Sequence, residues 1–273
     1  MDILASIQTD SQTNCSCADT SGFCSKPNLL KTLRQFCKTN EIDLEPENEL
    51  EILKSSEFQA YVKGNGVSDK ELSLNIKARF KKAGPRNTTE WLDNRDIYET
   101  LLKWAHEFDF FYPLNFSFSD IYEYNSPLRQ HNLKDILSGK IPLDIFGVKR
   151  LAPHKCIACV INTDVHTGSG IHWCCIFIDA RHEPTTIEFF NSSGKPPMKS
   201  VAKFMFEAQE QLPNSKQIIV SNIQHQHSSS ECGVYCMFYI RARLEGFPPS
   251  RFSDKKNIIP DKVMLEFRKH MFI

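Results

Sequence analysis

Cys232 is the residue that first suggests chemistry, in the run Glu231-Cys232-Gly233-Val234-Tyr235-Cys236. A polar stretch, Gln224-His225-Gln226-His227 followed by three serines, leads directly into an apolar helical pattern. Ser229 or Ser230 is the expected cap, and Cys232 then falls in the first turn. The unpaired amides of that turn favour an anion, so a thiol of lowered pKa is expected there. Gly233 would let a substrate backbone approach closely. Alone, the pair is weak evidence, since free cysteine more often behaves as a small buried hydrophobe. Cys236, one turn later between Tyr235 and Met237, reads as packing.

A cysteine nucleophile needs a base and a group that orients the base. His172 opens the apolar strand pattern His-Trp-Cys-Cys-Ile-Phe-Ile-Asp, where a rigid backbone would hold an imidazole at the mouth of a cleft. Trp173 beside it would limit solvent. Asn191 closes the pattern Thr-Ile-Glu-Phe-Phe, where its side-chain carbonyl can accept from the ring nitrogen turned away from the thiol. Asp179, at the far end of the first strand, is less well placed. Gln226 can supply a donor that joins the Cys232 main-chain N–H around a developing oxyanion, with Gln224 as its rival. Taken singly, these are an edge histidine, a turn asparagine and a loop glutamine. Taken together, they are the parts of a thiol hydrolase.

The rest of the chain must bring these groups together. Helical spacing and caps predict helices over 28–37, 47–60 and 68–80, the last with Ser68 and Glu71 as a capping box. Lys-Lys-Ala-Gly-Pro at 81–85 is the expected break, dividing a helical module (1–83) from a second domain (84–273). From 89 to 139 the pattern stays helical and aromatic, with Trp91, Ile97, Leu101, Leu102, Trp104 and Phe108 lining apolar faces and a helix near 127–138. Strands follow at 156–162, 173–179, 186–190 and 217–220, and helices at 199–212, 232–244 and 261–270. The class is α+β, with helices packed on a central sheet.

Composition narrows the function. Lys and Arg (33) balance Asp and Glu (33), and 41% of residues are hydrophobic, enough for a filled core. Zero net charge argues against an electrostatic search for nucleic acid, which is not indicated as a partner. The opening Met-Asp-Ile-Leu lacks the basic flank and apolar run of a signal peptide, and no stretch has the length of a membrane span. The ten cysteines are therefore expected as reduced thiols inside a cell. Cys156 and Cys159, with His154 nearby, have ligand-like spacing. No second compact pair completes a zinc set, however, and the two thiols of such a strand point to opposite faces, so no metal is expected. Cys15, Cys17 and Cys24 form a looser cluster, suited either to tethering a module or, if exposed, to oxidation.

The order His172-Trp173, Asn191, Gln226, Cys232-Gly233 resembles the cysteine proteases that include the ubiquitin-like-protein-specific proteases and the adenovirus proteinase. It is most similar to their swine-fever-virus branch, which processes structural polyproteins. That likeness runs across roughly 84–273, through Gly-Pro-Arg-Asn (84–87), Asn-Thr-Asp (162–164), Thr-Gly-Ser-Gly (167–170), Phe-Asn-Ser-Ser-Gly (190–194) and Phe-Tyr-Ile-Arg-Ala-Arg-Leu (238–244). The resemblance implies a papain-like-superfamily core with a central mixed sheet. It makes Cys232 the nucleophile, His172 the base, Asn191 its orienting group and Gln226 the oxyanion donor, with Trp173 and Gly233 against the substrate. Ser229 stands where the swine virus enzyme has a glutamine, and Asn191 where many cellular relatives have aspartate.

The resemblance also implies cleavage after Gly-Gly in viral structural polyproteins during virion maturation, without a cofactor. Its setting would be assembly sites in the host cytoplasm, and the virion. The helical module would engage a virion core component. Two other functions are compatible with the same residues: deconjugation of a ubiquitin-like modifier, and a non-enzymatic virion interaction protein.

Overall fold

Amphipathic segments of modest length build the first part of the chain. The computed structural model describes residue 15 and residues 22–85, 90–220 and 222–273. The opening ten residues, Cys17 and Arg86-Asn87 lie outside them. Helices α1 (Pro27–Thr39), α2 (Glu49–Lys54), α3 (Ser56–Gly64) and α4 (Asp69–Arg79) bury Leu29, Leu33, Phe36, Leu53, Phe58 and Val62 in a cluster of their own. The single helix expected over 47–60 is divided. Ser55 takes an extended conformation (φ −64°, ψ 146°), and its Oγ accepts from Phe58 N at 3.2 Å, so it ends one helix and caps the next. The Ser68 cap of α4 forms as expected, accepting from Glu71 N at 3.1 Å. Cys15 and Cys24 are joined as a disulfide, which corrects the expectation that every cysteine is a free thiol. That bridge and an isolated β-bridge from Cys15 to Phe80 tie the segment before α1 to the end of α4.

Helix α5 (Asn94–Glu107) follows, its start fixed by a reciprocal capping box between Asp93 and Asp96. Beyond it the Phe-rich stretch forms two short strands, β1 (Phe111–Pro113) and β2 (Ser117–Phe118), rather than continuing as helix. The helix expected near 127–138 shrinks to a single 3₁₀ turn (Pro127–Arg129) and α6 (Leu133–Leu137). The Leu143–Ile145 and Val148–Arg150 segments pair as a hairpin, β3–β4, that the sequence pattern did not show. Strands β5 (Cys156–Asn162), β6 (Trp173–Asp179) and β7 (Thr185–Phe190) follow one another, then come α7 (Lys199–Gln211), β8 (Ser215–Ile219), α8 (Cys232–Leu244) and α9 (Asp261–Met271).

The main sheet runs β1-β5-β6-β7-β8, with β2 also beside β5. It is mixed: β5–β6 and β6–β7 are antiparallel, whereas β1–β5, β2–β5 and β7–β8 are parallel. All of β5 and β6 is buried, which explains why both read as unbroken apolar runs instead of alternating patterns. Helix α8 is buried along its whole length and packs on β5 and β6. Its charged end is neutralised: Arg243 binds Asp179 and Glu188, while Arg241 makes a bidentate pair with Glu107 (2.6 and 2.7 Å). Both arginines sit in the last turn, where the helix dipole favours cations. Cys156 and Cys159 do face opposite ways, one toward Asp179 and the other toward the Asn115 carbonyl. Among the described residues no helix is long and apolar enough to cross a membrane.

Candidate active site

Sheet register is what brings His172 and Asn191 together. Cys175 pairs with Phe190 in the antiparallel β6–β7 ladder, so the residue before β6 and the residue after β7 emerge at the same end of the sheet. His172 is pinned on its other side by its carbonyl, which accepts from Thr163 N at 2.8 Å. Its Nε2 lies 2.8 Å from Asn191 Oδ1. That oxygen also accepts from Ser193 N (3.0 Å) and Ser193 Oγ (2.8 Å). A main-chain N–H can only donate, which identifies the asparagine atom as oxygen and requires the proton of neutral His172 on Nε2. Nδ1 is left with its lone pair free.

Helix α8 starts at this same sheet end. An ideal Cβ on Gly233 would lie 3.2 Å from both Leu92 Cβ and Trp173 Cδ1, so the first turn is seated against the Trp173 ring. Trp173 is buried and donates Nε1–H to Leu92 O at 3.2 Å. Cys232, only 1% exposed, faces the main chain of Trp173. Neither Ser229 nor Ser230 caps the helix. The N-cap residue is Glu231, which makes no side-chain cap. Its carboxylate instead pairs with Arg268 at 2.8 Å, both groups being buried. That partner lies on α9, too distant in sequence for local patterning to find.

Gln226 is buried beside Asn191's neighbour. Its Oε1 accepts from Ser192 Oγ (2.7 Å), its main-chain N donates to Ser192 O (3.0 Å) and its Nε2 donates to Ser228 O (2.8 Å). One Nε2 proton therefore stays available. Gly194 (φ +74°) makes this approach possible, because a Cβ there would meet Gln224 N at 2.9 Å. Gln224 is exposed and spends its amide on Gln226 O. Asp179 lies at the other end of β6 in ion pairs with Arg181 and Arg243.

A cleft of about 410 Å³ is walled by Trp91, Leu92, Phe118, Gly168, Gly170 and Trp173, of which Leu92 and Trp173 pack against Gly233. Trp91 is 45% exposed, which corrects its expected place on a buried helix face: it precedes the Asp93 cap and so lies outside α5. Gly168 is closed to larger residues, since its Cβ would strike the Asp164 carboxylate that organises the loop. Among the described residues no group of three or more His, Cys, Asp or Glu is arranged to hold a metal ion.

The electrostatics depart from the sequence expectation. Burial pushes the Cys232 thiol up to about 11, against the pull of the main chain at Trp173, Gly233 and Cys232 itself. The first-turn amides are present, but α8 begins inside the core, and desolvation of a thiolate there exceeds what they supply. Burial also lowers the His172 pKa, opposed by the Asn191 hydrogen bond and assisted by Lys195. At neutral pH Cys232 is thus a thiol and His172 a neutral imidazole, the protonation states that general-base catalysis starts from. Inactivation by iodoacetamide should accordingly keep accelerating as pH is raised from 7 to 10. A plateau reached below pH 7 would instead mean a preformed thiolate–imidazolium pair. On the acid side, kcat/KM should hold to below pH 6.5, because the base stays unprotonated there.

A thiol at a buried helix start against the main chain of Trp173, at the same sheet end as a histidine oriented by an amide oxygen, supplies the parts of a cysteine hydrolase. Residues 147–273 match the Ulp1 protease family, C-terminal catalytic domain. The chain is 34% identical over 253 residues to the SUMO-1 cysteine protease of African swine fever virus, covering 91% of this chain and 90% of that one. It superimposes on a crystal structure of the African swine fever virus protease with a TM-score of 0.78 at 32% identity, covering 100% and 99% of the two chains. ChlaDub1 from Chlamydia trachomatis shares the fold at 14% identity, with a TM-score of 0.50 over 68% of this chain and 92% of that one. The protein belongs to the Ulp1 family of cysteine proteases and is a homologue of the viral enzyme.

Proposed function

We propose that this protein is an endopeptidase that cleaves viral structural polyproteins after Gly-Gly during virion maturation. The observation that carries the reading is the packing around Gly233, the residue next to Cys232. Trp173, Leu92 and Gly233 are packed so closely that a single added Cβ on Gly233 would press on both neighbours at 3.2 Å. A peptide entering from the cleft beside them passes most easily where its own residues lack Cβ atoms, which favours glycine next to the scissile bond.

In this reading, Cys232 Sγ attacks the scissile carbonyl carbon while His172 Nδ1 takes the thiol proton. The carbonyl oxygen becomes negative between the Cys232 main-chain N–H and the free proton of Gln226 Nε2. When the C–N bond breaks, His172 returns its proton to the departing amine. Water then attacks the thioester carbon, giving its proton to His172, and the acid product leaves as the thiol re-forms. Asn191 Oδ1 holds the ring throughout, and Trp173 and Gly233 wall the substrate. No step calls for a metal or organic cofactor.

The helical module (1–83) joins a catalytic domain (84–273) and recruits the enzyme to a virion core component, placing it at assembly sites in the host cytoplasm and in the virion. A second reading draws on the relative's name as a SUMO-1 protease: release of a ubiquitin-like modifier by the same chemistry. The test is mass-resolved digestion of a polyprotein fragment containing Gly-Gly-Ala, beside a folded SUMO-1 fusion. Scission after Gly-Gly in the fragment is expected. Turnover of the fusion alone would reject the polyprotein assignment in favour of deconjugation.

A further inference from the structure

The loop that carries Gln226 is short of anchors in its own sequence. His227 is exposed and Ser228 half-buried, and Gln226 Nε2 depends on the Ser228 carbonyl for its orientation. The outer side of this loop is held from elsewhere. Asp261, in the first turn of α9, accepts from Ser228 N at 2.9 Å with Oδ2, and its two oxygens lie 3.2 and 3.3 Å from His227 N. Tyr235 OH, one turn along α8 from Cys232, is 3.0 Å from Asp261 Oδ1. One carboxylate on the last helix therefore meets two consecutive loop amides and a hydroxyl on the nucleophile's helix.

Neighbouring contacts point the same way. His225 Nε2 donates to Phe252 O (2.8 Å), and Ile259 N donates to His225 Nδ1 (3.1 Å), so the approach to α9 wraps the base of the loop. Tyr235 OH lies 2.8 Å from Ile259 O as well. Charge-assisted bonds from a carboxylate to main-chain N–H groups are stronger than neutral ones, which makes Asp261 the firmest of these ties.

We propose that Asp261 is a positioning residue for the oxyanion donor: it fixes Ser228, whose carbonyl fixes Gln226 Nε2, so that the C-terminal helix completes the active site. The proposal rests on the reading of Gln226 given above. Asp261 touches neither substrate nor thiol and acts only through the loop. Its loss should weaken stabilisation of the tetrahedral intermediate while leaving the reactivity of Cys232 intact.

The experiment compares full-length wild type with Asp261→Ala, Asp261→Asn and Gln226→Ala. Three quantities are measured: kcat and KM on a Gly-Gly-Ala peptide, the rate of Cys232 alkylation by iodoacetamide, and the affinity for a Gly-Gly peptide aldehyde. Alkylation is a displacement at sp³ carbon and forms no oxyanion, whereas the aldehyde adduct needs the same donors as the intermediate. Misplaced donors cost less than deleted ones, so Asp261→Ala is expected to lower kcat roughly 10- to 100-fold. Aldehyde affinity should fall in parallel, with KM and alkylation within about twofold of wild type. Asp261→Asn, which keeps one carbonyl oxygen for Ser228 N, should fall in between, and it carries the test if Asp261→Ala does not fold. Equal losses in alkylation and kcat would overturn the proposal by showing general damage. A loss in Gln226→Ala with kcat intact in Asp261→Ala would overturn it alone. An unaffected Gln226→Ala would overturn the oxyanion reading and this proposal with it.

Discussion

Cys232→Ala is expected to lower kcat on a Gly-Gly-Ala peptide by a factor on the order of 10⁴ to 10⁶, the range seen when a covalent nucleophile is removed from a hydrolase. Peptide binding should survive, because a small buried side chain is exchanged for another and the wall of Trp173 and Leu92 is untouched. His172→Ala should be nearly as severe: without a base, a thiol whose pKa burial has raised to about 11 has almost no thiolate at neutral pH. Asn191→Ala should cost less, about 10- to 100-fold, since it releases the ring but leaves the base in place. Asn191→Asp is informative in a different way. The carboxylate can still accept from Ser193 N and from His172 Nε2, yet its charge would raise the histidine pKa and move the acid limb of kcat/KM upward. Single-turnover mass spectrometry, which detects the thioester, separates these cases. Thioester formation in Cys232→Ala would name a different nucleophile.

The parts of this site that sequence could reveal are those built by local periodicity. Strands β5 and β6 and helix α8 follow their apolar runs because each is buried along its length, and the two arginines that interrupt α8 sit in its last turn in ion pairs. With those limits known, His172 and Cys232 necessarily stand at element ends. What was illegible depends on contacts across the chain. The Glu231–Arg268 pair spans 37 residues and the Asp261 ties to the Gln226 loop span 33 or 34, so neither has a local signature. The raised thiol pKa is illegible for the same reason: the helix start is visible in sequence, but the depth at which it is buried is not. The spacing of Trp91 from the later apolar residues fits a helix face, but the Asp93–Asp96 capping box starts the helix beyond it. The short strands β1 and β2 hold only three and two residues, and they owe their existence to pairing with β5.

Arg268→Met should lower the unfolding free energy by roughly 3–5 kcal/mol, the cost of leaving a buried carboxylate without its partner. Glu231 is 1% exposed, so its carboxylate lies buried when the partner is removed. Arg268 does more than neutralise it. Its Nη1 donates to Pro85 O (2.6 Å) and its Nη2 to Glu90 O (2.7 Å), so one guanidinium joins α9, the chain entering α5 and the residue before the nucleophile. Three separate acceptors around a planar fork exclude lysine as a substitute, and Arg268→Lys should recover little of the loss. Adding Glu231→Gln to Arg268→Met removes the orphaned charge, and the double variant should be more stable than Arg268→Met alone, with a coupling of about 1–3 kcal/mol. Urea unfolding midpoints of wild type, Arg268→Met, Glu231→Gln and the double variant, at constant m-value, measure that coupling. Strict additivity would mean that the pair is held by its surroundings and not by mutual attraction. A measurable coupling would mean that the residue preceding Cys232 is fixed electrostatically from the C-terminal helix, so that the stability of the fold and the placement of the thiol depend on the same buried ion pair.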